Sequence, residues 1–291
     1  MKAMRPSLGL GPGALTQQES SEHINSMLTT ARELGINSID ASTAHAHPEQ
    51  HATGSSEQLL GQAQAAERGF AINAAVESNA DGRCSLNRGQ VWESVKGTLA
   101  RLGVEQVDVL YIHAPDSETL LEQQAAAMDD LFRQGKFKRL GVANFSLIML
   151  QDYLTICQQN NYVRPSVFAV TYNLIWRFPE AKLIPLLRQH GITVAAQSPL
   201  AGGLLAGRFA PEQLRGTEGE RYRRTYAGKP GFHAAAADLV ALVSPHGMSP
   251  AEASLRWLCW HSDWWVGLRG YGGLCRTRLD GGEILDVLGW K

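Results

Sequence analysis

Cysteine is scarce and scattered in this chain. Its four residues, Cys84, Cys157, Cys259 and Cys275, form no CxxC pair and no zinc-ligand spacing, so neither a disulfide framework nor a structural zinc organises the fold. A reduced, cytoplasmic setting is the expectation. An excess of charge of one sign is also lacking: 27 Lys and Arg stand interspersed with 28 Asp and Glu, for a formal net charge of −1. That balance leaves no electrostatic footprint for a nucleic acid or an anionic membrane surface. No apolar run is long enough to cross a bilayer, and the start Met1-Lys2-Ala3-Met4-Arg5-Pro6 has no signal-peptide core. The expected partner is therefore a small neutral or weakly charged molecule, with no nucleic acid and no membrane. The oligomeric state is not legible.

What is present is a rhythm. Short apolar runs near residues 7–10, 36–41, 70–76, 107–113, 138–142, 167–171 and 191–196 alternate with longer amphipathic stretches, the βα pattern of a parallel sheet. Helices are expected from Glu19 to Leu34, Ser56 to Ala66, Arg88 to Leu102, Ser117 to Gln134, Ser146 to Gln159 and Pro179 to His190, with Ser56 and Ser117 as caps. Seven units are visible and an eighth would close a (β/α)8 TIM barrel, the eighth being irregular or incomplete. No internal boundary divides the chain, so one domain over residues 1–291 is expected, with a long polar loop from Arg215 to Lys229.

Two β-branched runs end on ionisable residues, Ile36-Asn37-Ser38-Ile39-Asp40 and Val107-Asp108-Val109-Leu110-Tyr111-Ile112-His113. In a TIM barrel the active site gathers at the C-terminal ends of the strands, which places Asp40 and His113 there. A turn or capping aspartate and a satisfied half-buried histidine are the competing structural readings.

At these positions the chain resembles the aldo-keto reductases, within them most closely the group of the aflatoxin aldehyde reductases. The matching segments run from about residue 7 to about 262: Gly35-Ile36-Asn37-Ser38-Ile39-Asp40-Ala41, Gly54-Ser55-Ser56-Glu57-Gln58-Leu59-Leu60-Gly61, and Val107 through His113 to Asp116. Further on stand Gly135 to Ser146, Tyr172-Asn173, and Ser198-Pro199-Leu200-Ala201-Gly202-Gly203-Leu204-Leu205-Ala206-Gly207-Arg208. The resemblance implies a barrel that binds NADP(H) without a Rossmann domain and reduces aldehydes or ketones. It also implies a catalytic tetrad of aspartate, tyrosine, lysine and histidine. Here Asp40 and His113 match, while His45 stands at the tyrosine position and Ala75 at the lysine position.

A tyrosine with a pKa of about 10 needs a neighbouring ammonium to work near neutrality, whereas an imidazole titrating at about 6.5 does not. His45 and Ala75 are thus a coherent pair if His45 is the proton donor. The competing reading leaves His45 as a solvated side chain of the loop His45-Ala46-His47-Pro48-Glu49-Gln50-His51. His45-x-His47 with His113 offers three nitrogens, but the spacing is unspecific and no metal is expected.

For the cofactor, the resemblance assigns Asp40, Asn144 and Gln197 to the nicotinamide side. It assigns Ser198, Pro199, Leu200, Ala201, Gly202, Gly203, Leu204, Gly207 and Arg208 to a phosphate-side loop, where glycines admit close backbone approach. Ala143, Ala169 and Gln197 replace the usual serine, glutamine and stacking aromatic. Beyond the family-like helix Ser249 to Leu258, composition shifts near His261, and the glycine-dense stretch that follows does not suit a barrel strand, as an altered reading frame would produce.

Three functions fit these residues. The first is an NADPH-linked reductase of a hydrophobic aldehyde or ketone, as in secondary metabolism. The second is a cofactor-independent acid–base enzyme, a dehydratase, isomerase, aldol-type lyase or cyclase, using Asp40, His45 and His113. The third is a catalytically silent binding barrel. Trp176, Arg177, Phe178 and Tyr226 are expected to line or overhang the pocket, which would favour an aromatic ligand.

Overall fold

The computed structural model describes residues 9–11, 20–41, 55–76, 86–207, 225–226 and 228–261. Seven strands form one parallel sheet in sequential order: β1 (Gly9–Leu10), β2 (Ser38–Asp40), β3 (Ala71–Ala75), β4 (Val107–Ile112), β5 (Phe137–Ala143), β6 (Pro165–Thr171) and β7 (Thr193–Gln197). Helices follow the strands: α1 (Ser21–Glu33), α2 (Ser55–Gln62), α3 (Arg88–Leu102), α4 (Leu121–Arg133), α5 (Leu147–Asn160) and α6 (Leu183–Gln189), then α7 (Pro230–Val243) and α8 (Pro250–His261). This is the (β/α)8-barrel type with seven strands described. The stretch after residue 262, where the eighth strand was sought, lies outside the described residues. None of the described helices is long and apolar enough to cross a membrane.

Strand alternation creates two cores. Ile39, Ile72, Ala74, Leu110, Ile112, Leu140 and Val142 face outward and pack with helix residues such as Leu28, Val95, Met128 and Leu150. Ala75, Val109, Tyr111, Ala143, Val167, Ala169 and Ala195 form a separate inner cluster. Most of these lumen side chains are small, and Tyr111 is the one large ring in the cluster. Gly141, opposite Tyr111 in the ladder, leaves room for that ring. Burial of the Tyr111 phenol raises its pKa far above the usual value, with Arg139 opposing and Asp108 reinforcing the shift.

Four of the described helices open on side-chain caps: Ser20 Oγ accepts from His23 N, Asn87 Oδ1 from Gln90 N, Ser146 Oγ from Met149 N and Ser249 Oγ from Glu252 N. Two expected caps differ. Helix α2 begins at Ser55, so Ser56 lies inside its first turn, buried. Helix α4 begins at Leu121 and not at Ser117, because Asp116 organises the preceding residues as a turn. Its carboxylate accepts from Glu118 N at 2.8 Å, the Thr119 hydroxyl at 2.6 Å and Leu86 N at 3.1 Å. The expected helix Pro179 to His190 is likewise divided, into a 3₁₀ turn at Phe178–Glu180 and α6.

Candidate active site

Asp40 closes β2, His113 follows β4 and Gln197 closes β7; all three are buried at the strands' C-terminal ends. Asn144, one residue past β5, is exposed and holds a left-handed backbone with φ 60°. Its Nδ2 donates to the His113 carbonyl at 2.7 Å, which ties the ends of β4 and β5 together. His113, Asn144 and Gln197 thus stand at the same, C-terminal end of the strands β4, β5 and β7.

The chain after β7 is unusually curled. Ser198 (φ 54°), Ala201 (φ 51°), Gly202, Gly203 and Gly207 all lie in the left-handed region. For non-glycine residues that conformation is costly and marks backbone held for a purpose. Of the five non-glycine residues with positive φ among the described residues, Asn144, Ser198 and Ala201 lie on this C-terminal rim. Asn173, wholly buried, fixes the start of the loop: its Nδ2 donates to the Ser198 carbonyl at 2.8 Å, while its Oδ1 accepts from Ile175 N and Trp176 N. Pro199, Leu200, Ala201 and Leu204 are buried beneath, and Gly202 and Gly207 are exposed. Exposed glycines on a stiffened turn suit the close approach of a diphosphate to backbone amides.

The lumen beside this loop is built differently. Ala75, Ala143, Ala169 and Ala195 present only methyl groups to the lumen, with Gln197 the nearest carboxamide on β7. His45, His47 and Arg208 lie outside the described residues. Among the described residues no group of His, Cys, Asp and Glu could hold a metal ion.

The aromatic residues expected at the pocket divide into two groups. Trp176 stacks on Phe232 at 5.5 Å, meets the edges of Phe178 and Tyr226, and carries Lys229 Nζ 5.5 Å from its ring centre. Phe178 is 71% exposed, whereas Tyr226 is buried. Arg177 instead forms a two-point ion pair with Glu180, Nε to Oε1 at 2.8 Å and Nη2 to Oε2 at 2.9 Å. The Tyr172 hydroxyl donates to the same Glu180 Oε1, and burial together with that bond raises its pKa. Arg177 is thereby a support of the β6 loop.

A model described as the aldo/keto reductase family matches residues 7–267. The chain belongs to the aldo/keto reductase family. An aldo-keto reductase of Pseudocercospora fijiensis is 31% identical over 241 residues, covering 77% of this chain and 81% of that relative. The oxidoreductase sirO of Leptosphaeria maculans is 31% identical over 259 residues, 86% of this chain and 74% of that relative. Human aflatoxin B1 aldehyde reductase member 2 is 34% identical over 195 residues, 62% of this chain and 54% of that relative. These aldo/keto reductase relatives agree with the barrel geometry, and the chain is an oxidoreductase of this family.

Two residues of this aldo/keto reductase site were not singled out from sequence. Asn173 stood in a matching dipeptide but had no assigned task until its bond to Ser198 was visible. Asn73 stands in the apolar run 70–76, where its parity with Ala71 and Ala75 places it on the lumen face.

Proposed function

We propose that this aldo/keto reductase is an NADPH-linked carbonyl reductase, a single barrel domain of the cytoplasm that converts an aldehyde or ketone to an alcohol. The reading is carried by one observation: Asp40, His113, Asn144 and the strained loop from Ser198 to Gly207 share the C-terminal rim of the strands. Aldehyde chemistry in a relative's name supports the substrate class.

In this reading the loop Ser198 to Arg208 binds the cofactor's phosphates, and Asn144 and Gln197 contact the nicotinamide from β5 and β7. NADPH, when bound, supplies the hydride. His113 donates an N–H to the carbonyl oxygen, which orients it and stabilises the negative charge that grows there. His45 gives that oxygen its proton, and Asp40, five residues earlier, favours the charged imidazolium. The balance is a hydride to carbon and a proton to oxygen, with the imidazole reprotonated from water. Ala75 fits this scheme, since a lysine ammonium beside an imidazolium would oppose its charge.

Steady-state NADPH oxidation with a panel of aromatic and aliphatic aldehydes tests the proposal. Alcohol should form in equal amount to the NADPH consumed, and the rate should fall as pH rises above the ordinary imidazole range of about 6.5, because Asp40 favours the imidazolium donor. His45→Ala should lower kcat by about 100-fold or more. Undiminished turnover in that variant, with the pH profile unchanged, removes His45 from the mechanism.

A further inference from the structure

The lumen holds a polar side chain that neither the fold nor the proposed chemistry uses. Asn73 is 6% exposed and pairs in the ladder with Asp40 on β2 and with Val109 on β4. On its own strand and face the neighbours are Ala71 and Ala75, which offer only methyl groups. Its Nδ2 donates to the Ser38 hydroxyl at 3.1 Å, and among the described residues its Oδ1 accepts no hydrogen bond. Turning the carboxamide over merely exchanges the ends: Ser38 then donates to Oδ1 and the NH2 is left open. One polar end therefore stays unsatisfied in either orientation, in a place where burial makes that costly.

We propose that Asn73 is a substrate-contact residue, whose open end receives a hydroxyl group carried by the carbonyl substrate. The inference rests on the reductase reading and deepens it by naming a substrate class, hydroxylated carbonyl compounds. Three features support it. Asn73 is the ladder partner of Asp40, so a group bound to it lies beside the reacting carbonyl and not in a remote cavity. Ala75, the next residue toward the mouth on the same face, presents only a methyl group. A hydroxyl can donate or accept, and so satisfies the carboxamide in both orientations. A site with a buried polar group rejects a ligand that lacks the matching group more strongly than an apolar pocket rejects an extra one.

The test compares benzaldehyde with its ortho-, meta- and para-hydroxy derivatives as NADPH-dependent substrates. The wild-type enzyme should favour at least one hydroxy derivative over benzaldehyde by about tenfold in kcat/KM. Asn73→Val should bring the ratio of kcat/KM for the favoured hydroxy derivative to that for benzaldehyde down to about one, and Asn73→Ala should behave alike. Because one polar end of the removed side chain lacks a partner and the other holds only the Ser38 hydroxyl, the Tm of Asn73→Val should stay close to wild type. A preference that survives in both variants overturns the proposal, as does its absence in wild type. A Tm several degrees lower in Asn73→Val makes the residue a structural one and overturns it too. If no aldehyde is reduced at all, the reductase reading fails by itself. The same four compounds are then ranked by thermal shift, where a hydroxyl preference lost in Asn73→Val upholds the contact and its absence refutes it.

Discussion

Gly141 and Tyr111 compete for one volume of the barrel lumen: a Cβ on Gly141 would clash with Cδ1 and Cε1 of the Tyr111 ring and lie 2.9 Å from Val109 Cγ1. Glycine stands at this point of β5 to admit the phenol that β4 sends inward. Gly141→Ala should destabilise the protein by about 2–3 kcal/mol, the range for overpacking a rigid core. Urea unfolding measures it, and Tyr111→Leu in the same chain should recover part of the loss. Equal stability of Gly141→Ala and wild type would show that the ring moves aside freely.

Helices α2 and α3 are clamped by a buried carboxylate. Glu57, 1% exposed, accepts from the Thr98 hydroxyl at 3.0 Å and from Arg101 Nε at 2.7 Å. Removing the cation strands that charge, so Arg101→Met should cost about 2–3 kcal/mol, below the fully buried case because the guanidinium is partly exposed. The double variant Glu57→Gln with Arg101→Met should be less destabilised than Arg101→Met alone. Chemical denaturation of the three proteins decides it, and strict additivity is the contrary result.

Asn173 supports the loop after β7, proposed to bind the cofactor's phosphates, through the Ser198 carbonyl. Asn173→Ala removes three hydrogen bonds from a wholly buried site and should lower stability by about 2–3 kcal/mol. Because the loop then loses its starting geometry, the KM for NADPH should rise at least tenfold while its kcat changes less. A variant with weakened stability but unchanged KM would separate Asn173 from cofactor binding.

Several buried groups hold their protons tightly. Burial pushes the Cys157 thiol from 9.0 up to about 12, and it raises the Tyr111 and Tyr172 phenols as well. Each acid is neutral when folded and ionises more readily when unfolded, so its stabilising effect is complete below the unfolded pKa and lost as pH rises. Stability should decline from about pH 9 upward, first through Cys157 and then through the phenols near pH 10. Unfolding free energies measured across that range test it, with a flat profile as the contrary result. Cys157 should also resist alkylation until the protein unfolds.

Much of this was legible in residue order because parallel strands buried on both faces read as apolar runs. The strands of units two to seven fall within a few residues of the expected positions, and Asp40 and His113 stand at strand ends as their runs indicated. Boundaries set by side-chain bonds were not legible. The start of α4 depends on Asp116 bridging to Leu86, 30 residues away, which no local pattern encodes. Asn73 lies within an apolar run, yet its alternation with Ile72 and Ala74 assigns it to the lumen. Arg177 looked like a pocket residue by proximity to Trp176, and only the Glu180 pair shows it engaged. The expected roles of His45, His47 and Arg208 concern positions outside the described residues.

The central claim is that this barrel remains a nicotinamide-dependent reductase although His45 and Ala75 replace the tyrosine and lysine of its family. Equilibrium titration of the purified full-length chain with NADPH, followed by the quenching of its tryptophan fluorescence, tests that most directly. The account predicts saturable binding with a Kd in the micromolar range, about 7–8 kcal/mol of binding free energy, weakened at least tenfold by Asn173→Ala. Absence of binding at millimolar NADPH would contradict it and turn Asp40, His45 and His113 toward acid–base chemistry without hydride.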